Sequence, residues 1–481
     1  MCNWFSCSKK FSLIIVMSLK NIFSFFKKKT YTPGSIGEVL AIALPLIING
    51  SAYTIMQFSD RWFLAKHSEV AINASMPSAV LSFTMLSLIT FVVQYSSTFV
   101  AQNFGAGRKE NCVYSAVQGM WLAVLGLPIY LLMIPIGELL IHTFNYGPEL
   151  MKAFKIYFRW MMLSGVFVGF NFALGGYFTG QNRLMPNVIA QVIGCIANIV
   201  LDYIFIFGKC GIPEYWTGIR GAAVATVIST TIPCGIQFVW MLRDKLVREL
   251  GLREVFKFRP AAFKSLLKYG APSGFQMFFD NGCFSVFLLM VATLPAVQAV
   301  ASNVAFSLNN LAFSPLLSFG HATSIVVAQH KGAGNDKIAK KSGWSGLKLG
   351  LCYMMIMFVV FVVFPRSLMG LFMPLDCEFT LDELVGIGRQ LMLIMAIWGI
   401  FDTANIIFIG SLKGVGDTKF VMTLLLVCAW AFWMPGEVLI FHFNLGIVWC
   451  WIWMAVYIAV LGIIFMVRWH NEKWREIKIL N

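Results

Sequence analysis

Twelve apolar runs, each long enough to cross a bilayer, divide the chain: 36–65, 76–100, 113–135, 157–180, 187–208, 221–242, 266–293, 302–328, 343–365, 388–412, 419–441 and 446–468. A hydrocarbon core about 30 Å thick needs roughly 20 residues of helix. Lipid offers no partner to a free N–H or C=O, so each run is expected to be an α-helix. A membrane β-barrel would show alternating segments of about 10 residues instead, and the sequence contains none. Composition agrees. Only 12% of residues are charged and 58% are hydrophobic, too little charge to cover a soluble surface. The expected class is an all-α integral membrane protein, a monomer whose surroundings are the lipid bilayer.

The net charge of +15 raises the question of nucleic acid, and the positions of the basic residues answer it. They gather at Lys9–Lys29, in 243–268, in 331–348, at the carboxyl tail and in the short loops near 108, 183 and 413–419. These are alternate ends of the apolar runs. That asymmetry is the positive-inside rule, which places those loops and both termini in the cytoplasm and the protein in the inner membrane. No basic stripe has the spacing of a nucleic-acid binder. The 11 Cys fall singly, without metal-type spacing or a disulfide framework. Residues 1–30 lack a small-residue cleavage site and end in KKK, so they read as an interfacial segment or an overlong start rather than a signal peptide.

The chain also repeats. "VAQNFGAG" (100–107) returns as "VAQHKGAG" (327–334), and at that shift of 227 the match runs without a gap from Pro45/Pro272 to Gly107/Gly334. Ala74/Ala301, Ser75/Ser302, Leu81/Leu308 and Ser97/Ser324 are among the identities. At a shift of 234, "GYFTG" (176–180) meets "GSLKG" (410–414). Each half therefore holds six spans, and an even number returns the chain to its starting side. The halves must be parallel repeats, an architecture of transporters that carry substrate between two bundles. The expected organisation is a cytoplasmic segment 1–34, an amino-terminal lobe 35–242, a linker 243–262, a carboxyl-terminal lobe 263–468 and a tail 469–481. The glycines of GAG are expected to end their spans at positive φ.

Four carboxylates break the symmetry. Asp60, Asp202, Asp280 and Asp402 lie inside spans 1, 5, 7 and 10, and Asn198 precedes Asp202 by one helical turn. Asp60 aligns with Phe287, Asp280 with Tyr53 and Asp402 with Val168. An Asp at the bilayer centre costs about 2.5–3.5 kcal/mol on insertion scales, so such residues are candidates for function. An acid in a poorly hydrated cavity binds a small cation or holds a proton. The blander reading is a helix cap or a partner for a neighbouring Asn. Gln57, one turn before Asp60, is a candidate for the same cavity. His321 ("SFGHATS") is a candidate proton relay or cavity residue, against the reading of a hydrogen-bonded packing histidine. Glu437 follows Pro435–Gly436 and reads as structural, near the outer interface.

Together these segments resemble the multidrug and toxin extrusion (MATE) family. The resemblance rests on "D…VAQ…GAG" in spans 1–2, "N-x-x-x-D-Y" with "IFIFG" in span 5, "GIRGAAVAT" before span 6, "FFD" in span 7 and "FD-x7-GSLKGVGDT" in span 10. It covers roughly residues 35–465. It implies two six-helix lobes and a secondary antiporter that exports organic, often cationic, compounds against inward Na⁺ or H⁺, with no other cofactor. Asp60, Asn198 and Asp202 match the family's amino-lobe cation or proton site. Asp280 and Asp402 match acids of the carboxyl lobe, so Na⁺ has two candidate sites. The chain departs from the pattern at Asp280, often Glu in the family, at Arg61 beside Asp60, and at His321. Neighbouring helical residues diverge by about 100°, so Arg61 is expected to face away from its neighbour.

Three other readings compete. A flippase of lipid-linked saccharides or peptidoglycan precursors would carry several cationic residues in its cavity, whereas the mid-span charges here are mainly acidic. A membrane-embedded enzyme needs a catalytic constellation, and six scattered His with isolated Ser supply none. A primary pump would need a nucleotide site, and no G-x-x-x-x-G-K-[ST] occurs.

Overall fold

The computed structural model describes residues 31–142, 147–291, 293–370 and 380–480. The basic segment 1–30 lies outside the described residues, and so does Cys377. Every regular element among the described residues is helical. The twelve long helices are α1 (Ile36–His67), α2 (Val70–Gly105), α3 (Lys109–His142), α4 (Pro148–Thr179), α5 (Met185–Ile206) and α6 (Gly218–Leu242), then α7 (Pro260–Val291), α8 (Ala296–Gly332), α9 (Asp336–Val363), α10 (Leu381–Val415), α11 (Thr418–His442) and α12 (Ile447–His470). Among the described residues eleven are long and apolar enough to cross a membrane, and α7 adds a twelfth long helix of 32 residues.

Most of these helices outrun their apolar stretches. At 1.5 Å per residue, the 35 residues of α10 span about 50 Å, well beyond the hydrocarbon layer. Local chemistry sets the ends. The Ser35 hydroxyl accepts from the Glu38 amide at the start of α1. Thr380 and Glu383 form a capping box on α10, and Gly416 ends that helix at φ +99°. The sequence 428–433 in α11 winds as a π-helix. The described cysteines are all free thiols.

Each half is organised around its fourth helix. In the first half α4 packs against α2, α3 and α6, and in the second α10 packs against α8, α9 and α12. The first helix of each half reaches across: α1 packs on α5 and on α8 of the other half, while α7 packs on α11 and on α2. The two crossings are equivalent under the 227-residue shift.

The repeated phrase lies where the halves meet. Gln102 Nε2 donates to the Gly414 carbonyl at 2.8 Å, and Gln329 Nε2 donates to the Gly180 carbonyl at 2.8 Å. Around them, the Tyr95 hydroxyl donates to Lys413 O, Ser345 Oγ to Gly34 O, and Glu38 pairs with His330. The two glycines of each GAG differ in purpose. Gly107 and Gly334 adopt φ +74° and +75°, the expected left-handed turn. Gly105 and Gly332 have no such φ. A Cβ on Gly105 would lie 1.8 Å from Gln329 O, and one on Gly332 would lie 1.9 Å from Gln102 O. Their smallness permits backbone contact between the halves. Farther along, Gly50 faces Ser314 and Gly274 faces Leu88, both near mid-helix. Every inter-half hydrogen bond named here sits at the basic end.

Candidate functional site

In the first half, α1, α5 and α6 bring an acid pair together. Asp60 is 6% exposed, and Asp202 and Asn198 are fully buried. The Asp60 and Asp202 carboxyls lie close enough to interact directly, with Asn198 beside them. Thr226 Oγ1 donates to Asp60 Oδ2 at 3.3 Å. Asn198 Nδ2 donates to Ser229 Oγ at 3.3 Å, and that hydroxyl donates to Thr226 O. Neither Asp202 oxygen nor Asp60 Oδ1 receives a donor from the protein. Two carboxylates in contact inside a low-dielectric bundle repel unless a positive species lies between them. A shared proton or one small cation meets that need, and the oxygen-rich set of Asp, Asp, Asn and Thr suits a hard cation.

The surroundings refine the expectations. Gln57 neighbours Tyr53, and the Tyr53 hydroxyl feels the Asp60 charge. Gln57 therefore stands one shell away from the acid pair. Arg61 does not face wholly away: its charge is felt at Asp60 and at Tyr157. Thr226, Ser229 and Tyr157 join the expected Asp60, Asn198 and Asp202 around the pair. Thr226 and Ser229 carried a sequence signal, two hydroxyls one turn apart on α6. Tyr157 carried none, since only packing brings α4 to this point.

The second half holds its acids apart. Gln276 Nε2 donates to Asp280 Oδ2 at 3.1 Å, and Asn405 Nδ2 donates to Asp402 Oδ1 at 3.1 Å. Among the described residues neither carboxylate bonds the other, and Tyr457 stands where both charges are felt. For Asp402, 6% exposed, the neighbouring-Asn reading holds in part. A further acid lies in this half. Glu437 is fully buried, accepts from Trp433 Nε1 at 2.9 Å and keeps Oε2 unpartnered. The π-turn that ends at Trp433 sets that register, and such turns cluster at functional sites.

Lys413 is a correction. Counted with the loop cations, it belongs to α10 and is half-buried. Its ammonium interacts electrostatically with Asp280 and with His321. His321 is half-buried on α8, and among the described residues its ring makes no hydrogen bond to protein. It shares the Lys413 environment instead. Among the described residues no three His, Cys, Asp or Glu side chains converge on a metal position.

Comparison with known proteins follows the same two-fold pattern. The MatE family model matches at residues 45–204 and again at 272–439. A probable multidrug resistance protein NorM of Mesorhizobium japonicum is 25% identical over 440 residues, which cover 90% of this chain and 93% of the relative. The fold is shared with an outward-facing multidrug resistance MATE family transporter of the MOP superfamily, at TM-score 0.80 and 18% identity over 94% of this chain and 100% of the other. It is shared too with a MOP superfamily transporter from Pyrococcus furiosus whose binding pocket has reverse polarity, at TM-score 0.79 and 18% identity over 92% and 98%. With both halves matched, the chain belongs to the MatE family of multi-pass membrane transporters.

Proposed function

We propose that this protein is an antiporter of the inner membrane that exports organic cationic or amphipathic compounds, driven by inward movement of Na⁺ or H⁺. The observation that carries the reading is the Asp60–Asp202 pair: buried, in mutual contact, and short of donors on three oxygens. Such a pair is incomplete without a proton or a small cation. It sits in the halves of α1, α5 and α6 farthest from the basic end, where no inter-half hydrogen bond is named. With the basic end cytoplasmic, the contacts of Gln102 and Gln329 close the inner side, and the ion site belongs to the side that parts.

Transport then follows from differential affinity. Ion and substrate must favour different states or compete, because a ligand binding both states equally shifts nothing. Asp280, Asp402 and Glu437 give the second half its own set of acids, suited to a cationic cargo. Lys413 is the observation that favours the flippase reading, since an anionic lipid-linked cargo needs cations. One lysine among these acids weighs for the antiporter.

The test uses purified protein in vesicles with ethidium-like dye inside and either a Na⁺ or a pH gradient imposed. Efflux driven by one gradient supports antiport and names the ion. Dye retention under both gradients, with translocation of a lipid-linked saccharide, would replace this reading by the flippase.

A further inference from the structure

A cleft of about 320 Å³ opens at the basic end, where α2 stops and α7 begins. Asn103, Tyr114, Arg259, Ala261, Ala262 and Ser265 line it. We propose that this cleft is a binding site for a hydroxyl-bearing phosphate ester, the glycerophosphate headgroup of an anionic lipid.

The repeat itself shows what the geometry accepts. The register that pairs Pro45 with Pro272 also pairs Pro33 with Pro260, and α3 and α9 begin at Lys109 and Asp336, again 227 apart. In the other copy of this corner the anion is internal. Glu38 accepts from the Gly34 amide at 2.6 Å and pairs with His330 at 3.1 Å. Ser345 Oγ holds Gly34 O at 2.6 Å, and Lys341 Nζ donates to Pro33 O at 3.3 Å. In the cleft, Glu38 is replaced by Ser265, His330 by Asn103, Gly34 by Ala261 and Thr32 by Arg259. The carboxylate is gone and an arginine has been added.

The polar atoms left behind define the ligand. Arg259 stacks its guanidinium 3.5 Å from the Tyr114 ring centroid, and its Nη2 pairs with Glu254 at 2.6 Å. Its Nε is buried without an acceptor. Ala261 and Ala262 stand in the first turn of α7, where N–H groups have no intrahelical acceptor and face the same need. Asn103 is 4% exposed. Its Nδ2 donates to Phe99 O and Ser115 Oγ, which fixes the amide and leaves Oδ1 without a donor. A phosphate supplies acceptors to Arg259 and the helix end, and a hydroxyl on the same molecule supplies the donor to Asn103. Phe99 and Leu266 give the cleft an apolar wall, which suits the glycerol and upper acyl carbons.

The experiment follows thermal unfolding of the full chain in uncharged detergent. Added phosphatidylglycerol, soluble glycerol 3-phosphate and inorganic phosphate form separate arms. The wild-type protein is expected to gain several degrees with phosphatidylglycerol. Arg259→Gln and Ser265→Glu are expected to lose that gain, the second because it restores the internal carboxylate. Lys337→Gln, an exposed cation at the same end, is expected to keep it. A gain with lipid alone supports a bilayer ligand, and an equal gain with glycerol 3-phosphate supports the same site filled from solution. Equal gains in wild type, Arg259→Gln and Ser265→Glu would overturn the proposal, as would no gain in any arm. Ser265→Glu adds a capping carboxylate, so it remains informative where Arg259→Gln fails to fold.

Discussion

Gln102 and Gln329 occupy the same place in the two halves, and each gives its side-chain amide to a backbone carbonyl of the opposite half at 2.8 Å. Their acceptors, Gly414 and Gly180, are themselves equivalent positions. One interaction is thus made twice, once in each direction, and it clamps the basic end.

Breaking that clamp should move the conformational balance. Gln102→Ala leaves a buried carbonyl without its donor, a cost of about 1–3 kcal/mol. The population open at the basic end should rise about five-fold or more, with Gln329→Ala similar. Spin-label distances between α2 and α10 at that end check this, and unchanged distance distributions in both variants would remove the clamp from the mechanism.

Gly105→Ala and Gly332→Ala should act more strongly. Each added methyl would lie within 2 Å of a backbone carbonyl oxygen, 1.8 Å at Gly105 and 1.9 Å at Gly332, and backbone cannot rotate aside. Overpacking of about 1–3 kcal/mol should lower vesicle transport about tenfold while the protein still inserts. Wild-type rates in either variant would show that the close approach is dispensable.

Asp60→Asn and Asp202→Asn should each abolish ion-driven efflux without loss of folded protein, because an amide no longer needs a cation. Thr226→Ala removes one long contact to Asp60, 3.3 Å, from a hydroxyl that also reaches Ala222 O at 2.9 Å, about 1 kcal/mol, and should weaken coupling only several-fold. Asp280→Asn and Asp402→Asn test the second half in the same efflux assay. Full efflux from both would leave the second half without a coupling carboxylate.

At the basic end, the loops that follow α4 and α10 each hold one side of an ion pair, with the charges exchanged between Arg183 and Asp417. Arg183 pairs with Asp244 after α6, and Asp417 pairs with Arg468 at 2.9 Å beside the end of α12. Burial by itself would raise the Asp244 pKa, but donation from Arg183 and Tyr177 outweighs it and holds the carboxyl below its usual range. A depressed acid stabilises the fold above its unfolded pKa of about 3.9 and loses that contribution as pH falls through the lower folded value. Arg183→Gln should therefore cost on the order of 1 kcal/mol at neutral pH, with the gap from wild type closing below about pH 4. Melting curves over pH 3–7 measure it (roughly the span set by the Asp reference value), and a gap that persists at low pH would assign the pair a packing role alone.

The sequence by itself determined the helical class, the span count and the two-fold repeat, because lipid forces every apolar run to satisfy its own backbone. It also exposed Asp60, Asp202, Asp280 and Asp402, since a charge inside a span stands out from its neighbours. Only the tertiary structure decided which acids meet. Asp60 and Asp202 are 142 positions apart in sequence and share a contact, whereas Asp280 and Asp402 remain separate. Thr226, Tyr157 and Glu437 became legible only then, because a hydroxyl or carboxyl declares its partner through packing. Lys413 proved a half-buried helix residue rather than a loop cation for the same reason: helix α10 runs past the apolar stretch, and hydropathy cannot show where a helix stops once protein rather than lipid surrounds it.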